Sequence, residues 1–69
     1  MKLLDVVALT QDLPDRGLVR GQVGTIVEDL APGVFEVEFC DTQGATFAMV
    51  ALTADQLMLL HYTQARQAS

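Results

Sequence analysis

One alternating stretch between two turn motifs constrains the fold more than any other feature of this sequence. The stretch is "VFEVEFC", residues 34–40, which alternates apolar and acidic side chains from Phe35 to Phe39. That period is typical of a strand with one buried and one solvated face. "APG" (31–33) precedes it and "DTQG" (41–44) follows it, and both are tight-turn motifs. We therefore predict an antiparallel meander. Its central strand turns Phe35, Val37 and Phe39 to the core, and Glu36 and Glu38 to water.

Four further strands complete the predicted sheet. They are Leu3–Leu9, Gly21–Leu30, Ala45–Leu52 and Leu57–Tyr62. Thr53 can cap a single helical turn, "TADQ", before the last strand. One helix over residues 53–66 is the alternative, and the turn plus strand is preferred.

Glycine and proline shape the segments between these strands. Pro14 and Gly17 predict an ordered loop after the first strand, because proline fixes its own φ and glycine accepts a positive φ. Gly24 lies inside the second strand, where a glycine commonly marks a bulge or a sharp bend. These features predict an all-β fold, a small five-stranded SH3-like barrel with one short helical turn before the last strand. The barrel is expected over residues 1–62, followed by a flexible tail at residues 63–69.

Charge and composition limit the classes of function. The 69 residues include nine acids and four Lys or Arg, a formal net charge of −5. This charge argues against nucleic-acid binding, which depends on Lys and Arg, and favours a basic protein partner. We expect no membrane span, since no apolar run approaches the roughly 20 residues required. The start of the chain lacks a signal-peptide pattern and Cys40 is the single cysteine, so a cytoplasmic protein is expected.

No residue pattern predicts catalysis, a metal or a cofactor. Cys40 and His61 are the single residues of their types, too few for a structural zinc site, and a nucleophilic pair would need a third orienting group. Glu36 and Glu38 share one face of a strand, a spacing that could suit the paired carboxylates of a hydrolase. The same spacing is the ordinary placement of acids on a solvent-facing side of a strand, and this second interpretation is preferred. The glycines of "RGQVG" lead into a strand rather than opening a helix, so a phosphate-binding loop is not expected. We predict a protein that is not an enzyme.

The fourth strand, "ATFAMVAL", carries apolar residues in both phases of alternation. If Val50 and Leu52 face the core, Phe47 and Met49 lie outside, and the opposite phase exchanges the two pairs. Exposed apolar patches on small domains often mark interfaces, and residues of the last strand, Met58 with Leu60 or Leu57 with Leu59, could extend this one. The predicted partner-binding residues are Phe47, Met49, Glu36 and Glu38. The partner is another protein or a second copy of the chain.

Four motifs resemble a family of short bacterial proteins described as a domain of unknown function, family 4926. They are "DLP" (12–14), "RGQVGTIVE" (20–28), "FEVEF" (35–39) and the "D..G.T" of Asp41, Gly44 and Thr46. The resemblance covers Leu4 to about Leu59 and implies an SH3-like barrel without an established activity. The "RG..GTIV" core is more distantly similar to the KOW motif and to the barrel of the nitrile hydratase β subunit.

Two functions remain open at this point. One is a non-enzymatic protein-interaction module, with an antitoxin or immunity-like partner and a small accessory subunit of a larger enzyme as the candidate roles. The other is a KOW-like nucleic-acid-binding barrel, which the resemblance supports and the charge opposes.

Overall fold

The computed structural model describes residues 1–61, which form one antiparallel sheet of five strands. The strands are β1 (Val6–Leu9), β2 (Val23–Ala31), β3 (Val34–Cys40), β4 (Thr46–Thr53) and β5 (Leu57–Leu59). Their order across the sheet is β4-β3-β2-β1-β5. Two 3-10 turns interrupt the connections, Pro14–Arg16 between β1 and β2 and Ala54–Gln56 between β4 and β5. The predicted all-β fold, its five strands and the helical turn before the last strand are confirmed.

The core lies on the inner face of this sheet. The alternation predicted for β3 is confirmed, since Phe35, Val37 and Phe39 are all buried. Each faces a residue of β4 across the sheet: Phe35 lies opposite Leu52, Val37 opposite Val50 and Phe39 opposite Ala48. The remaining core residues come from β1, β2, the β1–β2 loop and β5: Val7, Leu9, Ile26, Leu18 and Leu57.

Both turns predicted around β3 are present. Ala31 faces Val34 across a two-residue loop in which Gly33 has a φ of 74°. In the other turn, the Asp41 carboxylate accepts hydrogen bonds from the backbone N–H groups of Gln43 at 2.8 Å and Ala45 at 3.0 Å. A side chain that holds its own turn in this way fixes the register of the strand that follows.

The loop after β1 is ordered, as predicted. Gly17 adopts a φ of 69° and its N–H closes the first 3-10 turn on the Pro14 carbonyl at 3.1 Å. Leu13 and Leu18 exchange backbone hydrogen bonds of 2.9 and 3.1 Å across the loop, and Leu18 is buried. The loop is therefore folded onto the core.

Two strand boundaries differ from prediction at the start of the chain. The first strand begins at Val6 rather than Leu3, because Leu4 has a φ of 71°, outside the range of a strand. The second begins at Val23 rather than Gly21, because Gly21, with a φ of 89°, belongs to a turn closed by Gln22 N–H on the Val19 carbonyl. Neither turn was predicted, because the residues around Leu3 are apolar and those after Gly21 are rich in β-branched side chains, both of which favour a strand.

Gly24 has a different role from the predicted bulge. The two register shifts of β2 fall between Ile26 and Glu28 and between Asp29 and Ala31. A Cβ on Gly24 would lie 2.7 Å from Val37 Cγ1 and 2.9 Å from Phe39 Cδ1. The glycine therefore permits a close approach of β2 to β3 side chains on the inner face.

The end of the described chain confirms the turn plus strand. Thr53 precedes the second 3-10 turn, and its backbone N–H donates to Gln56 Oε1 at 3.0 Å. β5 then pairs with β1, with Leu57 opposite Leu9. The strand ends at Leu59, so the predicted extension to Tyr62 is wrong for the described residues 60 and 61. The alternative of one helix over residues 53–66 is wrong for the part that the structure describes. Tyr62 and the predicted tail at residues 63–69 lie outside the described residues.

Candidate protein-binding face

The structure brings the four predicted partner-binding residues together on the outer face of β3 and β4. Glu38 lies directly opposite Met49, Glu36 lies opposite Ala51, and Phe47 is two residues before Met49 on the same strand. Facing residues of an antiparallel pair have Cβ atoms roughly 4.5–5.5 Å apart and point to the same side of the sheet. We call Glu36, Glu38, Phe47 and Met49 the acidic-apolar face.

The phase of β4 is the one that places Phe47 and Met49 outside. Phe47 is 48% exposed and Met49 52%, whereas Val50 and Leu52 are buried. The opposite phase, with Val50 and Leu52 outside, is therefore wrong. The reason lies in the register, which aligns Val50 with the buried Val37 and cannot shift by one residue without exchanging the two faces.

The carboxylates of this face are less solvated than the alternation predicted. Glu36 and Glu38 point away from the core, but both are half-buried among their outer-face neighbours. Thr46 Oγ1 donates a hydrogen bond to Glu38 Oε2, which ties this carboxylate to the start of β4. Glu36 also faces Glu28 across the sheet. Like charges placed directly opposite are destabilising, so this arrangement is not one that stability alone favours.

No positive side chain offsets these acids along β2, β3 and β4. Residues 21–61 include six acids and no Lys or Arg. Arg16 and Arg20 belong to the loop before β2, where the backbone N–H of Arg20 donates to Asp12 Oδ1 at 2.8 Å. The strands that form the acidic-apolar face therefore contribute only negative charges close to the exposed apolar surface.

The last strand does not extend this face as predicted. Met58 is 54% exposed and lies opposite Ala8 of β1. Three strands, β1, β2 and β3, separate it from β4 in the sheet. Val23 of β2 pairs with the same Ala8 from the neighbouring strand on its other side. Met58 and Val23 therefore form an exposed patch that is separate from the acidic-apolar face.

A groove that the sequence did not indicate runs beside β4. It has a volume of about 300 Å³ and is lined by Leu13–Arg16 of the loop, Val50–Leu52 of β4, and Gln56. Three consecutive β4 residues line it, so the groove follows the edge of the strand rather than one face. The ordered loop was predictable from Pro14 and Gly17, but its position next to β4 required the three-dimensional fold.

The single cysteine and the single histidine lie at or just after the ends of strands that are not neighbours in the sheet. Cys40 ends β3 and is exposed, with its Sγ 3.8 Å from Thr46 Oγ1. His61 follows β5 and is exposed. Within residues 1–61, no three His, Cys, Asp or Glu side chains come together in a way that could hold a metal ion. Gly21 lies in the turn before β2 and Gly24 lies within β2, so the "RGQVG" segment opens a strand and not a helix.

No helix in the described part of the chain is long and apolar enough to cross a membrane.

The comparisons with known proteins give one result. No match was found among curated proteins or among solved structures. The family model described as "Domain of unknown function (DUF4926)" matches residues 3–59, a span that contains all five strands and the whole acidic-apolar face. That span is well over half of the 69 residues, and the chain therefore belongs to the DUF4926 family.

Proposed function

We propose that this protein is a non-enzymatic interaction module that binds a basic protein partner through the acidic-apolar face. The observation that supports this most is the exposure of Phe47 and Met49, about half of each side chain, beside two acids on strands that include no Lys or Arg. Burial of one such side chain against a partner contributes roughly 1.5–3 kcal/mol. Two of them contribute about 3–6 kcal/mol towards a complex, and complementary charge around them adds specificity and speeds association.

Charge decides which class of partner fits. A nucleic acid would meet the acids of β2 and β3 with its own phosphates, and this opposes the KOW-like alternative. A partner with Lys or Arg around an apolar centre would instead pair with Glu36 and Glu38. An antitoxin or immunity-like role and a role as an accessory subunit both fit such a partner, and the exposed Cys40 is consistent with a reducing, cytoplasmic setting.

The test compares two pairs of exposed apolar residues. The protein is immobilised, and proteins retained from lysate of its source are identified by mass spectrometry. Phe47→Ser with Met49→Ser should remove one set of partners, enriched in basic proteins. Val23→Ser with Met58→Ser, equally exposed but on the separate patch, should retain that set. Identical capture by both double variants would refute the proposed binding face.

Purified partner then tests the electrostatic part. Binding measured by calorimetry should weaken as salt rises from 50 to 300 mM, because the contacts at the rim are screened. Glu36→Gln with Glu38→Gln should weaken binding and reduce this salt dependence. Gel-shift assays at low salt test the alternative, and tight, salt-sensitive binding of RNA or DNA would favour the KOW-like function instead.

A further inference from the structure

The two edges of the sheet are protected very differently. β5, at one edge, has three residues. β4, at the other, has eight, and Thr46–Thr53 includes no charged residue, no proline and no glycine. Among the described residues, the strand that pairs with β4 is β3. Natural sheets usually protect an edge by shortening it, by a β-bulge, by loop cover or by placing Lys or Pro on it, because an open edge is a template for another strand. The irregularity of β4 lies at its start, between Thr46 and Ala48, and beside Val50–Leu52 an open groove separates the edge from loop residues 13–16.

We propose that two copies of this chain pair antiparallel along β4 and form one continuous sheet of ten strands across a two-fold axis. This inference does not depend on the basic partner proposed above, since the hydrogen bonds between the two copies come from the backbone edge of β4. Phe47 and Met49 of the acidic-apolar face then lie at the seam of the dimer. A two-fold contact is isologous, so the same strand serves both copies.

Side-chain size favours a register with Met49 on the axis. Facing residues of an antiparallel pair lie on the same face of the sheet. With Met49 opposite its own copy, Phe47 of each chain lies opposite Ala51 of the other, a large residue against a small one. On the inner face, Val50 of each chain meets Ala48 of the other. The small side chain of Ala48 then lies at the groove of about 300 Å³ beside Val50–Leu52.

The distribution of acids favours pairing at the edge over stacking of the two outer faces. Stacked faces would bring Glu36 and Glu38 of both copies together with no Lys or Arg from β2, β3 or β4 to separate them. Edge pairing leaves the two copies of β3 three strand spacings apart, roughly 14 Å. That exceeds the screening length of about 8 Å at physiological salt. A second copy is therefore tolerated at the edge and repelled at the face.

The test is sedimentation equilibrium of the full chain without any partner. The wild type should be a dimer at micromolar to millimolar concentrations. Met49→Lys should raise the dimer dissociation constant more than about tenfold, because two ammonium groups would face each other on the axis. In the monomer, the new Lys lies opposite Glu38, so the fold should persist. Met58→Lys is the matched control, an equally exposed methionine on β5, and should leave the dissociation constant unchanged.

Charge exchange tests the register itself. Met49→Glu alone should also dissociate, whereas an equimolar mixture of Met49→Lys and Met49→Glu should recover a dimer. Ala51→Lys provides a second edge variant if either Met49 variant fails to fold by circular dichroism. A monomeric wild type, a dimer that resists both edge lysines, a dimer that Met58→Lys dissociates, or a mixture that stays monomeric would each overturn the proposed pairing.

Discussion

Gly24 provides the sharpest test of the packing between β2 and β3, because backbone propensity and steric contact predict opposite signs. Glycine inside a strand is disfavoured relative to alanine by roughly 0.5–1 kcal/mol, so propensity alone predicts that Gly24→Ala stabilises the protein. The structure predicts the reverse. The new methyl group would lie 2.7 Å from Val37 Cγ1, 2.9 Å from Phe39 Cδ1 and 2.9 Å from the Glu38 carbonyl oxygen. All three distances are well below van der Waals contact.

The free-energy cost of Gly24→Ala depends on which neighbours of the new methyl group can move. Val37 and Phe39 are fully buried, and the third contact is backbone, so relief requires a shift of packed side chains. Such overpacking typically costs 1–3 kcal/mol, and we expect about 2 kcal/mol for Gly24→Ala and more for Gly24→Val. A domain of this size has a stability of roughly 3–10 kcal/mol. The melting temperature should fall by about 8–16 °C.

Urea and thermal unfolding followed by far-UV circular dichroism measure this effect. Phe39→Leu removes one of the three contacts, so its combination with Gly24→Ala should destabilise by less than the sum of the two single changes. This coupling distinguishes a local clash from a general loss of strand structure. A midpoint for Gly24→Ala equal to or above the wild type would refute the close approach at Gly24.

Three further changes test other parts of the fold by the same measurements. Val50→Ser should destabilise by about 2–3 kcal/mol because it removes core packing and buries a hydroxyl, whereas Phe47→Ser should change stability by less than about 1 kcal/mol; equal effects would contradict the phase of β4. Asp41→Ala should cost about 1–2 kcal/mol, since two backbone N–H groups lose their acceptor, and an unchanged midpoint would show that this turn forms without the carboxylate. Glu36→Lys should stabilise the isolated chain and weaken binding of a basic partner.

The sequence determined the centre of the fold better than its start. β3 was predictable because its alternation and both flanking turns agree with one another, so each supports the same register. Residues 3–5 have the composition of a strand, but Leu4 adopts a positive φ and β1 begins later. There a local turn, held by Lys2 N–H on Asp5 Oδ2 at 2.9 Å, prevails over β propensity. No periodicity in the sequence reports such a contact.

The candidate site was predictable in its residues but not in its geometry. "ATFAMVAL" is apolar in both phases, so the choice between Phe47 and Val50 as the exposed residue depended on pairing with β3. The groove beside β4 depends on how residues 13–16 fold back across space, and spacing along the chain does not encode that distance. Met58 was likewise predicted to extend the exposed patch of β4, but the strand order places it at the opposite edge of the sheet.

Glu36 separates the requirements of folding from those of binding. It faces Glu28 on one side and Ala51 on the other, so a Lys at this position would replace a repulsive cross-strand pair with an attractive one. Such pairs contribute roughly 0.2–1 kcal/mol, and Glu36→Lys should raise the melting temperature by a few degrees. The same change places a positive charge in the acidic-apolar face, where a basic partner would meet it. A variant that is more stable and binds less tightly would show that the acidic surface serves recognition at the expense of stability. A variant that gains stability and keeps its partner would show that Glu36 lies outside the contact.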